Sequence, residues 1–313
     1  LFLPSRTFSL NGDIFVNISR HWPVSFSFSF SMLRNSKVKW FFILPASIWV
    51  LAFTVFPFFY GLYLSLFNVQ FGVEDQFIGL GNYGRALRDS RAHNSITVTL
   101  IFVFVGVSIQ LVLGMLVALL VNRPMPLRSM LRALITLPLF ATPIAVGFLF
   151  FTIFYEEGGL INGLIGVKIP WLSTSHFALL SVIIVDTWQW TPFCFLIFLA
   201  ALQGIPEEYY EAAALETTNN WKTFWHITFP FLQPTFILVI LLRVTEAIKV
   251  FDIPYTLTTG GPGVATQVLS MFSYRAGMRF FDFGYSSAIS FMVFIIVMIM
   301  IFSFFGRIRQ SYS

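Results

Sequence analysis

The stretch Glu207-Glu-Tyr-Tyr-Glu211-Ala-Ala-Ala-Leu-Glu216-Thr-Thr-Asn-Asn-Trp221-Lys-Thr-Phe-Trp225-His-Ile-Thr-Phe-Pro230 is a polar break between two long apolar runs. Pro206 suits the first position of a helix, and Glu207 and Glu208 offset the positive end of its dipole. Tyr210, Ala213, Ala214 and Thr217 recur at helical spacing on a small-residue face. Thr217 to Asn220 should end that helix, because β-branched and Asn residues favour helix termini. Trp221, Phe224, Trp225 and Thr228 recur at helical spacing before Pro230. The expected product is a hairpin of two short helices with an acidic, small-residue face and a bulky aromatic face. An amphipathic connector lying on lipid headgroups is the bland alternative. Four carboxylates (Glu207, Glu208, Glu211, Glu216) argue against it and for docking to a protein partner.

On either side of the break the chain is built for lipid. Of 313 residues, 57% are hydrophobic and only 11% charged, and 40 are Phe. A soluble domain carries about a quarter charged residues. Runs of about 20 apolar residues cross a bilayer as helices. Six such runs lie at 40–67, 96–121, 129–154, 177–202, 232–251 and 287–305. The expected fold is therefore an all-α membrane protein with six transmembrane helices and one helical hairpin outside the bilayer. Pro45, Pro57, Pro138, Pro143 and Pro192 fall inside the runs and read mostly as plain kinks, which membrane helices tolerate.

With six spans both ends share a side. That side holds Arg34, Lys37, Lys39, Arg123, Arg128, Arg132, Lys222, Arg307 and Arg309. The other side mixes Arg85, Arg88, Arg91, Lys168, Arg275 and Arg279 with Glu74, Asp75, Asp89, Glu156, Glu157 and Asp282. The Lys/Arg bias places both termini and the Glu211 segment in the cytoplasm. The net charge of +5 belongs to this pattern and does not point to nucleic acid. Residues 1–31 read as upstream sequence or a disordered tail, with Met32 as a natural start. The permease portion reads as 37–310, the hairpin loop as 203–230, and 311–313 as a tail.

The chain has no ATP-hydrolysing chemistry of its own. A phosphate-binding P-loop needs Gly directly before Lys, and none of Lys37, Lys39, Lys168, Lys222 or Lys249 follows Gly. The four His are scattered, no Cys/His cluster occurs, and Cys194 is the single cysteine, so no disulfide framework exists. Energy must come from a partner or an ion gradient.

Charges within spans are costly and usually face a cavity or pair up. Arg243, Glu246 and Lys249 are spaced by three and share a helix face. Asp186 and Gln189 are likewise three apart, beside Trp188 and Trp190. One reading is a translocation pathway lined by Asp186, Gln189, Arg243 and Glu246, with aromatic rings for a sugar to stack on. The other is an Arg243–Glu246–Lys249 ion-pair ladder, with Asp186 and the Trp residues at a membrane interface. An ion-gradient-driven secondary transporter using the ladder as a charge relay is the alternative function.

The Glu211 segment resembles the EAA motif of permease subunits of ATP-binding-cassette importers, in which Glu-Ala-Ala precedes Gly and then Ile-x-Leu-Pro. Glu211, Ala212, Ala213, Ile227 and Pro230 stand at that spacing; Thr217 replaces the Gly and Phe229 the Leu. Thr resists positive φ, so Asn219 or Asn220 is expected to supply a left-handed turn. Phe77-Ile-Gly-Leu-Gly-Asn-Tyr83, Phe251-Asp252, Thr259-Gly-Gly-Pro262, Thr266 and Gly284-Tyr-Ser-Ser-Ala288 resemble the maltose-type sugar-permease branch. The resemblance covers nearly all of 37–310. It implies a bacterial or archaeal plasma-membrane subunit that imports a sugar, oligosaccharide or polyol. It also implies a second permease in a heterodimer and two cytoplasmic ATPase subunits that hold ATP and Mg and receive the Glu211 hairpin. An extracytoplasmic solute-binding protein delivers the solute. No cofactor is expected on this chain.

Overall fold

A computed structural model of the protein describes residues 36–311. The reading of 1–31 as an upstream tail lies outside them. The chain divides at Phe56 into two units. The described part of the first unit is α1 (Ser36–Val50, with Pro45 inside it) and a π-helical turn, Leu51–Val55. The second unit opens on the rest of α2 (Phe56–Ser65) and a two-stranded ribbon, β1 (Phe67–Asn68) with β2 (Gln76–Phe77). It continues through α3 (Gly81–Ala86), α4 (Ser90–Asn122), α5 (Arg128–Thr136), α6 (Pro143–Ile153), α7 (Leu160–Ile165) and α8 (Ser175–Gln203). The last third holds α9 (Glu207–Glu216), α10 (Asn220–Thr223), α11 (Phe229–Ile248), α12 (Asp252–Thr258), α13 (Leu269–Tyr274) and α14 (Phe283–Ser311).

Among the described residues, five helical runs are long and apolar enough to span a membrane: Ile43–Ser65, Ser90–Asn122, Ser175–Gln203, Asn220–Ile248 and Phe283–Ser303. The sixth expected span is a bent pair. Arg128–Phe140 and Pro143–Ile153 meet at 98°. Three of the five prolines do behave as plain interruptions, since Pro45, Pro57 and Pro192 sit inside helices. The Pro138/Pro143 pair instead breaks its span. A proline disfavours the helical region for its predecessor, and Thr142, before Pro143, is extended, as is Ala141 (ψ 137° in both).

The core of the second unit is the α4–α8 pair. Phe102, Val107, Leu111 and Ala118 of α4 and Val185, Phe195 and Phe198 of α8 are buried together. Gly114 permits this approach, because a Cβ there would lie 2.5 Å from the Cys194 Cβ. A second close contact joins α6 to α12, where a Cβ at Gly147 would lie 1.7 Å from Thr256 Oγ1. Arg128 closes the C-terminal end of α4, donating from Nε to the Val121 carbonyl at 2.7 Å, as a cation at that end should.

The Phe77–Tyr83 segment and the start of α14 form one clasp. Asn82 Nδ2 donates to the Ser65 and Phe67 carbonyls (3.0 and 2.9 Å), and Tyr83 donates to Ser65 Oγ (2.9 Å). Arg85 and Gln70 both reach Asp282 Oδ2, at 2.7 and 2.9 Å. Tyr285 donates to Asp89 Oδ2 at 2.9 Å, with the Arg85 guanidinium 4.1 Å above its ring. The motif between the fifth and sixth spans is equally tied. Thr258 and Thr266 share a hydrogen bond (2.6 Å), Thr266 donates to the Gly261 carbonyl (3.0 Å), and Arg275 donates to Gln267 Oε1 (2.9 Å) and to the Thr259 carbonyl. Here the loop motifs shape backbone rather than present side chains.

Candidate functional site

The outer segment and an intramembrane polar cluster carry the polar chemistry singled out in the sequence. In the first, α9 runs Glu207–Glu216 as expected, with Glu207 and Glu208 in its first turn. Glu211 and Ala212 are exposed, and of the expected small-residue face Ala213 is buried and Ala214 exposed. Leu215 is 92% exposed. An apolar side chain standing free beside four exposed carboxylates suits a protein partner better than a lipid surface. Tyr210 Oη lies 3.2 Å from Thr228 Oγ1, and the Tyr209 and Phe231 rings are 4.8 Å apart. These contacts fix α9 against the helical run that follows.

The turn departs from expectation. No residue between Thr217 and Asn220 is left-handed. Thr217 is extended (φ −154°, ψ 139°), a conformation its β-branched side chain favours. Its hydroxyl accepts from Asn219 N–H (3.2 Å), and Asn219 Oδ1 accepts from Trp221 N–H (2.9 Å). The turn is thus a Thr hydroxyl turn followed by an Asn N-cap.

The second limb is also not a separate short helix. It continues through a π-helical turn, Phe224–Thr228, into α11, and Asn220–Ile248 is one 29-residue run. Pro230 was expected to end it. Instead Phe229 N–H bonds the Phe224 carbonyl, the wider π turn absorbing the register change before the proline. Ile227 is half-buried and Pro230 exposed at this junction.

The polar cluster lies within the spans. Asp186 on α8 and Arg243 on α11 are 2% and 1% exposed. Arg243 Nη2 stands 3.5 Å from Asp186 Oδ2. Gln110 on α4, buried completely, joins both: its Nε2 donates to Asp186 Oδ2 (2.7 Å) and its Oε1 accepts from Arg243 Nε (2.9 Å). The guanidinium also lies 4.5 Å from the Trp190 ring centroid, a cation–π geometry. Arg243 Nη1 is buried without a partner.

Neither reading of these residues survives whole. The ladder does not form: Glu246 pairs with Lys249 at 2.9 Å on the surface, while Arg243 turns away across the bundle. A helix face fixes which side chains can meet, but the buried charge follows its buried counter-charge. Asp186 and Trp190 lie midway along α8, against α11, rather than at either end of the helix. Trp188, half-exposed, packs edge-on to Phe150 at 5.2 Å. Gln189 stands apart from Arg243 and donates to the Ala141 carbonyl (2.8 Å), pinning the broken backbone to α8. Gln110 escaped the sequence reading, although it is the one amide in the 96–121 run. Beside the cluster lies a cavity of about 190 Å³ bordered by Asp186, Trp190, Arg243, Glu246, Lys249 and Asp252. Its walls offer an aromatic face, cations and carboxylates to a polar solute.

Residues 110–312 match the family described as binding-protein-dependent transport system inner membrane component. The trehalose/maltose transport system permease protein MalF of Thermococcus litoralis is 35% identical over 89% of this chain and 96% of its own. The lactose transport system permease protein LacF of Rhizobium radiobacter is 31% identical over 87% and 94%. A bacterial ABC transporter involved in the import of the acidic polysaccharide alginate has a chain of the same fold. It has a TM-score of 0.78, 19% identity, and coverage of 90% of this chain and 98% of that one.

Proposed function

The chain belongs to the inner membrane components of binding-protein-dependent transport systems, and from that premise we propose that it imports a sugar, oligosaccharide or polyol. The observation that carries the solute class is the pair of near full-length relatives named for trehalose/maltose and for lactose. An extracytoplasmic binding protein delivers the solute, and a second permease completes the pore. Both termini and α9 face the cytoplasm, in a bacterial or archaeal plasma membrane.

Two ATPase subunits, which hold ATP and Mg, receive α9. Glu211 and the free Leu215 side chain offer them a charged and an apolar contact, and Ala212, Ala213, Thr217, Ile227 and Pro230 shape the surface around it. The solute passes Asp186, Trp190 and Arg243, where the free Nη1 of Arg243 serves a hydroxyl group and the indole a sugar face. Glu246 borders the same cavity, while Gln189 positions the broken span. An ion-gradient relay finds no support in the separated Arg243 and Glu246.

Glu211→Lys tests the docking. Solute uptake should fall to background while the amount of chain in the membrane stays unchanged. Normal uptake by that variant would sink the assignment.

A further inference from the structure

Toward the C-terminal end of α4, that helix and the Asn220–Ile248 run part and leave a groove of about 700 Å³. The bond from Arg243 Nε to Gln110 Oε1 ties the two helices together just past Leu111, where the groove ends. At the open end stand Asn122, Arg123, Trp221 and Trp225. From Leu111 to Arg123 an α-helix rises about 18 Å. One leaflet of a bilayer contributes about 15 Å of hydrocarbon, half of its core. The groove is thus blind at its inner end and about one leaflet deep. A spanning helix needs the whole thickness, whereas a lipid needs one leaflet.

The two ends differ in chemistry. Along the walls Val112 and Leu116 are exposed (58% and 51%), with Met115 buried behind them and Phe229 and Phe236 facing them from α11. At the rim Arg123 is exposed, and its guanidinium forms no ion pair among the described residues. Lys222, next to Trp221, is exposed and equally unpaired among them. None of the four α9 carboxylates lines the groove. The Trp221 and Trp225 rings meet edge-on at 5.7 Å. Tryptophan gathers at headgroup level, where its ring is half in lipid and half in water. Unpaired cations beside a spanning helix attract acidic lipid.

We propose that this groove seats one anionic phospholipid, its headgroup paired with Arg123 beside the two indoles and an acyl chain laid against Val112, Leu116, Phe229 and Phe236. Tyr210 of α9 lines the same groove, so the seated lipid braces the base of the hairpin against α4. Such a site needs only that α4 and the Asn220–Ile248 run span a bilayer, and it is independent of the solute carried.

The test uses the full chain with its co-purifying subunits in phosphatidylcholine vesicles. These contain a trace of phosphatidylglycerol or of phosphatidylcholine bearing a photo-reactive diazirine on an acyl chain. The phosphatidylglycerol probe should label peptides holding Val112 and Leu116, or Phe229 and Phe236, more strongly than the phosphatidylcholine probe. Arg123→Gln should lower that labelling about fivefold, the weight of one cation near an anionic lipid, and Arg123→Lys should keep most of it. Leu116→Trp, at an exposed position, should fill the groove and remove labelling there by either probe. Phe104, 77% exposed and outside the groove, should take both probes alike in every variant, which reports an intact fold. Equal labelling of the groove by both probes, indifference to Arg123→Gln, or an unlabelled groove beside a labelled Phe104 overturns the proposal. So does competition by inorganic phosphate as effective as that by unlabelled phosphatidylglycerol, which would assign the rim to a free anion.

Discussion

Arg243 is bonded to Asp186, 57 residues away on another helix, and not to Glu246, three residues along its own. The choice follows from burial: both partners have left solvent, and each is the other's main compensation. Removing one member of such a pair costs about 3–5 kcal/mol, because the survivor is left uncompensated. Asp186→Asn should therefore lower the unfolding temperature of the purified chain sharply. Asp186→Asn combined with Arg243→Gln should recover part of the loss, since no buried charge then remains. Additive losses in that double-mutant cycle would show that the pair is not coupled.

Thr217 stands where related motifs hold glycine, yet its backbone is extended and its hydroxyl serves Asn219 N–H. Thr217→Gly should loosen the turn, by about 1 kcal/mol from the lost hydrogen bond and added chain freedom. Limited proteolysis between Glu216 and Trp221 would report it. A turn that resists cleavage better with Gly would contradict the geometry.

Glu156 supplies the pH dependence. Partial burial pushes its carboxyl pKa up, but hydrogen bonds from Leu172 N–H and from the hydroxyl and N–H of Ser173 outweigh this and hold it below the ordinary value. A folded-state pKa below the unfolded one contributes stability that is fully present above the unfolded value. That stability is lost as pH falls through the folded value. Amide exchange at Leu172 and Ser173, corrected for intrinsic rates, should accelerate in acid below the usual glutamate range. In Glu156→Gln the acid-dependent component should vanish; its persistence would assign the effect elsewhere.

Gly147 lets α6 lie against Thr256, so Gly147→Ala forces the helices apart. Overpacking of this kind costs about 1–3 kcal/mol. Thermal unfolding should show the loss, and Thr256→Ala in the same chain should relieve part of it. An unaffected melting temperature for Gly147→Ala would mean the contact relaxes freely.

Much of this architecture is legible in residue pattern, because lipid imposes a coarse rule: apolar runs of sufficient length become helices. That rule located the spans and isolated Glu207–Glu216. It failed where the answer depended on a partner distant in sequence. Arg243 could be placed on a face but not assigned Asp186 and Gln110, since those contacts exist only after α4, α8 and α11 assemble. Pro138 and Pro143 announce a disturbance, but whether it is a kink or a 98° break depends on what supports the freed backbone, here Gln189. Thr217 was judged by the glycine it replaces, when Asn219 had already supplied a different turn.

The continuity of Asn220 with Ile248 has a mechanical meaning. At a rise of 1.5 Å per residue, Trp221 and Arg243 are about 33 Å apart on a single rod. A tilt of about 5° about the Trp221 end sweeps Arg243 by roughly 3 Å, close to the 3.5 Å that separates it from Asp186. A tilt of the run about its aromatic end therefore displaces Arg243 by a distance able to break the buried ion pair, with the π turn and Pro234 as the points between them where the run can bend.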